Sequence, residues 1–220
     1  MRRSPPGSLL VAAAALLVLA ACASPTGKSG MSFFVTSAGP GKGGDLGGLA
    51  GADRHCQTLA AAAGAGVRNW KAYLSAQPVG GQAGVNARDR IGKGPWQNAQ
   101  GVVVATDLAQ LHGANNISKQ TALTEKGAGV NGRGDTPNVH DVLTGSQPDG
   151  NFIAGEANST CANWMMGEGG AAMVGHHDRM GPNDSAPAKS WNSSHQSRGC
   201  SMDQLKTTGG AGLFYCFAAD

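Results

Sequence analysis

Apolar positions along this 220-residue chain change period several times, and each change predicts an element. The stretch SFFVTS at 32–37 is a short apolar run that predicts a first strand, and the glycine-rich loop GPGKGGDLGG follows it. From Leu49 the period lengthens. Leu49, Ala52, Cys56, Leu59, Ala60 and Ala63 recur at steps of three and four, which places them on one helical face. Gly64 and Gly66 stop that helix, as glycine does where the chain turns left-handed. In NWKAYLS, Trp70, Ala72 and Leu74 alternate with Lys71 and Tyr73, the pattern of a half-buried strand. NARDRIGKGPWQNAQG at 86–101 reads as a loop, broken by Pro95 and its glycines, and leaves Trp96 a candidate for exposure and ligand contact. VVVATDLAQLHG predicts a buried strand running into a short helix with Asp107 as its N-cap. Residues 114–136 are mostly polar or glycine and are expected to form a long surface loop. NVHDVLTGS predicts another strand, and CANWMMG, AMVGHH and GLFYCFA predict strands of a terminal sheet. One main helix, one minor helix and many short strands define an α+β class with a large irregular fraction.

Composition sharpens this picture. The chain has 35 glycines and 14% charged residues, against typical values of about 7% and 25%, so turns and loops should dominate. The N-terminus places Arg2 and Arg3 before an apolar run at 9–21. That run is shorter than the roughly 20 residues of a membrane span and has the form of an export signal. It ends in Leu19-Ala20-Ala21-Cys22, which resembles the lipobox of bacterial lipoproteins. The resemblance implies cleavage before Cys22 and acylation of that cysteine, each buried methylene contributing about 0.8 kcal/mol to membrane anchoring. Ala23, rather than aspartate, after the cysteine implies the outer membrane of the cell envelope. The expected organisation is a signal peptide at 1–21, a lipidated tether at 22–31 and one domain at 32–220.

Removing Arg2 and Arg3 with the leader lowers the formal charge from +3 to +1. No long basic run remains, so no nucleic-acid partner is expected. TGKS at 26–29 has the letters of a phosphate-loop tail, but no strand precedes it and the upstream glycine position falls on Cys22. Four cysteines remain beyond the anchor: Cys56, Cys161, Cys200 and Cys216. In an exported chain these read as two disulfides, with three connectivities open.

The segment GLAGADRHCQTLAAAAGAGVRNWKAYLSA resembles the opening of the endostatin domain, the C-terminal module of collagens XV and XVIII. The matching positions are Gly51, Ala52, Asp53, Cys56, Ala72, Tyr73, Leu74 and Ser75. Gly145, Ser146, Pro148 and Gly150 match that family's Gly-Ser-x-Pro-x-Gly turn, and Cys161 and Trp164 its Cys-x-x-Trp. The resemblance covers about 36–220 and is loose in the middle. It implies a C-type lectin-like fold and a nested pairing, Cys56–Cys216 and Cys161–Cys200. It also implies a recognition domain for a glycan, a matrix component or a protein.

Two motifs bear on ligands. Gln147-Pro148-Asp149 precedes Cys161, and Trp191-Asn192-Ser193 lies between Cys161 and Cys200, in the order of the calcium and sugar motifs of C-type lectins. Gln147, Asp149, Trp191 and Asn192 are therefore the candidate ligand-binding residues. Ser193 replaces the anionic ligand of the lectin motif, and Pro-Asp-Gly is ordinary turn chemistry, so the expectation is a turn. Of the six histidines, His176 and His195, with Asp178, are the candidates for zinc. The expectation is that the histidines bond loop backbone and that no cofactor is held, with zinc or calcium the alternative. Nothing here matches the N-terminal histidines through which endostatin binds zinc. Arg133-Gly134-Asp135 spells an integrin tripeptide within the predicted loop, where the same letters also make a tight turn. Glu125, Glu156 and Glu168 are the glutamates, each in a polar or glycine-rich context, and no nucleophile elbow or zinc-protease motif occurs. The expected function is that of a lipid-anchored envelope protein with a non-catalytic recognition domain. A structural lipoprotein is the second expectation and a hydrolase the third.

Overall fold

The computed structural model describes residues 1–2, 30–155 and 158–220; Cys22, the TGKS stretch and Glu156 lie outside the described residues. The architecture is mixed α/β, with few helices, many short strands and two disulfides. In chain order the main elements are β1 (Phe33–Val35), α1 (Gly48–Ala62), β2 (Trp70–Ala72), β3 (Trp96–Gln97), β4 (Val103–Ala105), α2 (Leu108–Leu111), β5 (Asp141–Leu143), β6 (Met173–His176), β7 (His195–Gln196) and β8 (Gly210–Ala218).

The nine-residue β8 is the spine. β1 and β2 both pair antiparallel with its C-terminal half: Phe34 and Ala72 each lie opposite Cys216, so the two strands flank it. β5 runs parallel to its N-terminal half, and β6 and β7 extend the sheet antiparallel, giving the order β1-β8-β5-β6-β7. β3 and β4 form a separate two-stranded ribbon.

Both faces of β8 are covered, which is why GLFYCFA is apolar throughout. Phe214 and Cys216 face α1, where His55 packs on Phe214 and Cys56 bonds Cys216. Tyr215 and Phe217 face away, into a cluster with Phe33, Tyr73, Trp96 and Trp191. This is the period of two expected of a strand. Helix α1 buries Ala52, Cys56 and Ala60, with Leu49, Leu59 and Ala63 packed against the core, the face the sequence predicts. Its Asp53 accepts the Ala72 amide and pairs with Arg90 at 2.7 Å and Lys71 at 3.0 Å, which clamps the helix to β2.

The disulfides are nested, Cys56–Cys216 and Cys161–Cys200, spanning 160 and 39 residues. By loop-closure entropy they contribute about 5 and about 4 kcal/mol, as upper figures. Asp107 caps α2 as predicted, accepting the Gln110 amide at 2.9 Å.

Four local expectations are corrected. CANWMMG is not a strand: Cys161, Ala162, Asn163 and Trp164 turn left-handed, with φ of 48°, 52°, 56° and 69°. Left-handed backbone costs about 1–2 kcal/mol per residue. Side-chain ties offset it here. Asn163 exchanges hydrogen bonds with the Gln77 backbone at 2.7 and 2.9 Å, Trp164 Nε1 donates to Ser75 O, and Cys161 is bonded to Cys200. Second, the polar stretch 114–136 does not lie wholly on the surface. Ile117, Ala122, Leu123 and Val130 are buried, and the Leu123 carbonyl accepts the Val35 amide. Third, Trp96 is buried, its Nε1 shared between the carbonyls of Ile91 and Ala218. Fourth, a helix at Met202–Lys206 follows the second disulfide, started by a Ser201–Gln204 capping box that the sequence reading passed over.

Candidate metal centre

Gln147-Pro148-Asp149 forms a turn. The Gly150 amide donates to Gln147 O at 2.9 Å with Gly150 at φ 83°, and the Asp149 carboxylate accepts the Asn151 backbone and side-chain amides at 3.0 and 2.6 Å. Gln147 and Asp149 reach solvent, whereas Trp191 and Asn192 are buried beneath them. Asn192 Nδ2 donates to Tyr73 Oη at 3.0 Å and to the carbonyls of Gln147 and Pro148 at 3.1 and 3.2 Å. Trp191 packs on Tyr73, Tyr215 and Phe217. The structure thus brings the two motifs together, with Asn192 acting as donor to the turn and Trp191 as part of the core. In the Arg133-Gly134-Asp135 turn, the Asp135 carboxylate is tied to the Gly132 amide at 2.8 Å and to Lys119 at 2.5 Å.

The histidines converge elsewhere, at the free end of the sheet. His140 immediately precedes β5, Asp141 opens it, His176 closes β6 and His195 opens β7. The register sets Asp141 opposite His176, with His195 two residues back on the next strand, opposite Val174. Around Asp141 Oδ1 lie His140 Nε2 at 3.2 Å, His176 Nε2 at 3.2 Å and His195 Nε2 at 3.5 Å, and the last two nitrogens are 3.1 Å apart. The His140 and His176 rings stack at 4.1 Å with 11° between planes. His140, Asp141 and His176 are buried, and His195 is 36% exposed.

The outer nitrogen of each ring fixes its tautomer. His140 Nδ1 faces the Asp178 carboxylate at 3.3 Å, His176 Nδ1 faces Ala188 O at 2.8 Å, and His195 Nδ1 faces Gln196 O at 3.0 Å. Carbonyls and carboxylates only accept, so each Nδ1 donates outward; the Ser194 hydroxyl also lies 3.2 Å from His176 Nδ1. Each Nε2 then faces inward toward Asp141. Asp178 is held ionised: burial raises its carboxyl, but His140 and the amides of Arg133 and Met180 more than offset this. Burial likewise raises the Asp141 carboxyl, and His176 and His195, whenever they carry a proton toward it, bring it down to about 2. That same contact raises His195 against its partial burial. Among the described residues neither buried oxygen of Asp141 has a partner in hydrogen-bond geometry. With each Nδ1 turned outward, three ring nitrogens and a carboxylate oxygen face one another.

Such a site attracts a cation. Zinc–nitrogen bonds of about 2.0–2.1 Å put tetrahedral corners about 3.3–3.4 Å apart, close to the 3.1–3.5 Å that separate Asp141 Oδ1 from the three nitrogens and His176 from His195. The ligand atoms of His140, Asp141 and His176 all lie within 4.8 Å of one another, and His195 stands outside that set. Imidazole and carboxylate donors suit zinc-class metals, whereas calcium takes six to eight oxygens. A carboxylate or carbonyl behind each ring is the usual support of a metal-bound histidine.

Of the predicted zinc candidates, His176 and His195 are in the cluster. Asp178 is not a donor to it; it stands behind His140 and orients that ring. His177, just past the end of β6, points the other way, its Nε2 donating to Asn131 O. His140 and Asp141 are not among the residues singled out in the sequence, where they fall within the predicted strand NVHDVLTGS. Their signal is a His-Asp pair at the head of the buried strand that continues through Val142 and Leu143, since buried polar residues are the informative ones. No family model and no curated protein matches this sequence.

Proposed function

We propose that this chain is a lipid-anchored envelope protein whose endostatin-like, C-type lectin-like domain binds rather than catalyses. Its ligand in this reading is a divalent transition-metal ion of the zinc class, held by His140, Asp141, His176 and His195. One observation carries the metal: the ligand atoms of the buried His140, Asp141 and His176 converge within 4.8 Å of one another, with His195 Nε2 at their rim, 3.1 Å from His176 and 3.5 Å from Asp141. The nested disulfides, the α1–β8 packing and the turn at Gly145–Gly150 support the endostatin-like architecture. The expected class, recognition without turnover, is kept, and the metal takes the place of a glycan because its donors are the ones assembled.

Isothermal titration of chelator-treated protein tests the reading. Zinc should give one saturable site at micromolar metal or tighter, and His176→Ala should abolish it, while calcium gives no heat. Absence of zinc heat from the folded, oxidised protein overturns the proposal.

A further inference from the structure

The four donors are not held alike. His140 is gripped from behind by Asp178, whose fully buried side chain is itself fixed by the amides of Arg133 at 2.6 Å and Met180 at 3.0 Å. It is also stacked on His176. His176 is gripped by the carbonyl of Ala188, in the turn Pro187–Lys189, and its backbone amide donates to Ser190 O. Asp141 is embedded between β6 and β8.

His195 differs on each count. Its Nδ1 leans on the carbonyl of its own neighbour, Gln196, a contact that travels with the residue. It sits on β7, a two-residue strand at the sheet's edge that pairs with β6 alone. Its side chain is about a third exposed, where the other donors are buried. Short edge segments with few buried contacts open at the lowest free energy. When His195 swings out, three fixed donors remain with a fourth position facing solvent, the arrangement that lets zinc accept an outside ligand.

We propose, building on the zinc reading, that the metal is exchangeable cargo and that His195 is the ligand through which it is handed to an outside nitrogen or oxygen chelator. The bond from the metal to His195 Nε2 breaks, and its electron pair stays on the imidazole. A lone pair of the incoming chelator forms the new bond. The bonds to His140, Asp141 and His176 are then replaced in turn. No electron changes hands.

Transfer kinetics test this. Zinc-loaded wild type, His195→Ala, His195→Gln and His176→Ala are mixed with a chromophoric nitrogen–oxygen chelator over a tenfold range of excess. The wild-type rate should climb in proportion to chelator concentration. Both His195 variants should still load one zinc and release it at least about tenfold faster, since loss of a contact shows mainly in the off-rate. His176→Ala should fail to load. Circular dichroism of the metal-free His195 variants should match wild type, because the ring is partly exposed. A wild-type rate indifferent to chelator concentration overturns the proposal. So does a loading defect in both His195 variants as complete as that of His176→Ala, which would mark a closed, permanent site. Failure of wild type itself to load zinc would remove the metal reading instead.

Discussion

Asn192→Ala separates a structural amide from a ligand for calcium and sugar. The Asn192 amide is buried and delivers two protons to three acceptors, Tyr73 Oη and the carbonyls of Gln147 and Pro148. The Tyr73 hydroxyl lies 2.8 Å from His112 Nε2, and His112 Nδ1 faces the Leu108 carbonyl at 2.9 Å, so Tyr73 donates to His112 and has Asn192 as a donor to its oxygen. Burial pushes the Tyr73 hydroxyl's pKa well up, so it stays protonated and keeps this polarity. Removing the amide strands the Tyr73 oxygen away from water, at about 1–3 kcal/mol. The two turn carbonyls lie at exposed residues and recover part of their loss by hydration. With the small cavity added, Asn192→Ala should cost about 2–4 kcal/mol, or roughly 5–15 °C in melting temperature for a domain of this size. Asn192→Asp should cost more, since it turns a carboxylate toward the same oxygens. Guanidinium unfolding of the oxidised domain reads the difference. A loss below about 1 kcal/mol in both variants, or calcium-dependent sugar binding that Asn192→Ala abolishes without destabilisation, would refute this role.

Asp178→Asn should weaken zinc binding about 10- to 100-fold, as removal of a ring-orienting partner does. Titration and metal-free melting are measured together, since general destabilisation alone would move only the second. Gly44→Ala should lose about 1–3 kcal/mol, because its Cβ would meet Cys161 Sγ with too little room. Full stability by denaturant would show that the left-handed turn has room to move. Reduction of both disulfides should remove several kcal/mol, up to about 9 by loop closure, and unfold the domain at moderate temperature. A reduced domain melting where the oxidised one does would contradict the loop-closure contribution. Radiolabelled palmitate should mark the wild type and not Cys22→Ala; equal label in both would exclude acylation at that residue.

The elements legible in the sequence were those with one dominant pattern. Helix α1 announced itself through Ala52, Cys56 and Ala60 at four-residue steps, and Asp107 through its place before LAQL. β8 was legible as a run buried on both faces. The turn at 161–164 was not, because CANWMMG has the apolar density of a strand and no glycine at its left-handed positions. What holds it left-handed is remote: Gln77 and Ser75 lie more than eighty residues upstream, and Cys200 lies across the disulfide. Local propensity carries no trace of such partners. Burial of Leu123 was hidden likewise, since its carbonyl takes the Val35 amide of β1, far away in sequence.

The metal centre was half legible for a related reason. His176 and His195 were singled out because histidines are conspicuous, but nothing in their spacing says that β6 and β7 pair with Val174 opposite His195. That register decides the site. It lays the His195 ring beside His176, and the β5–β6 pairing brings Asp141 to the same point. One residue of slip on any of these strands would turn its donor to the opposite face. The strand pairing is itself secured by apolar residues, with Val142, Leu143 and Val174 buried alongside. Hydrophobic register therefore builds the cluster, and in the proposed reading a bound cation would draw its donors together. On that argument, zinc should raise the melting temperature of wild type by an amount that grows with free metal, as binding to the native state alone requires. Val174→Lys, which turns a charge into the strand pairing, should lose that increment together with the fold.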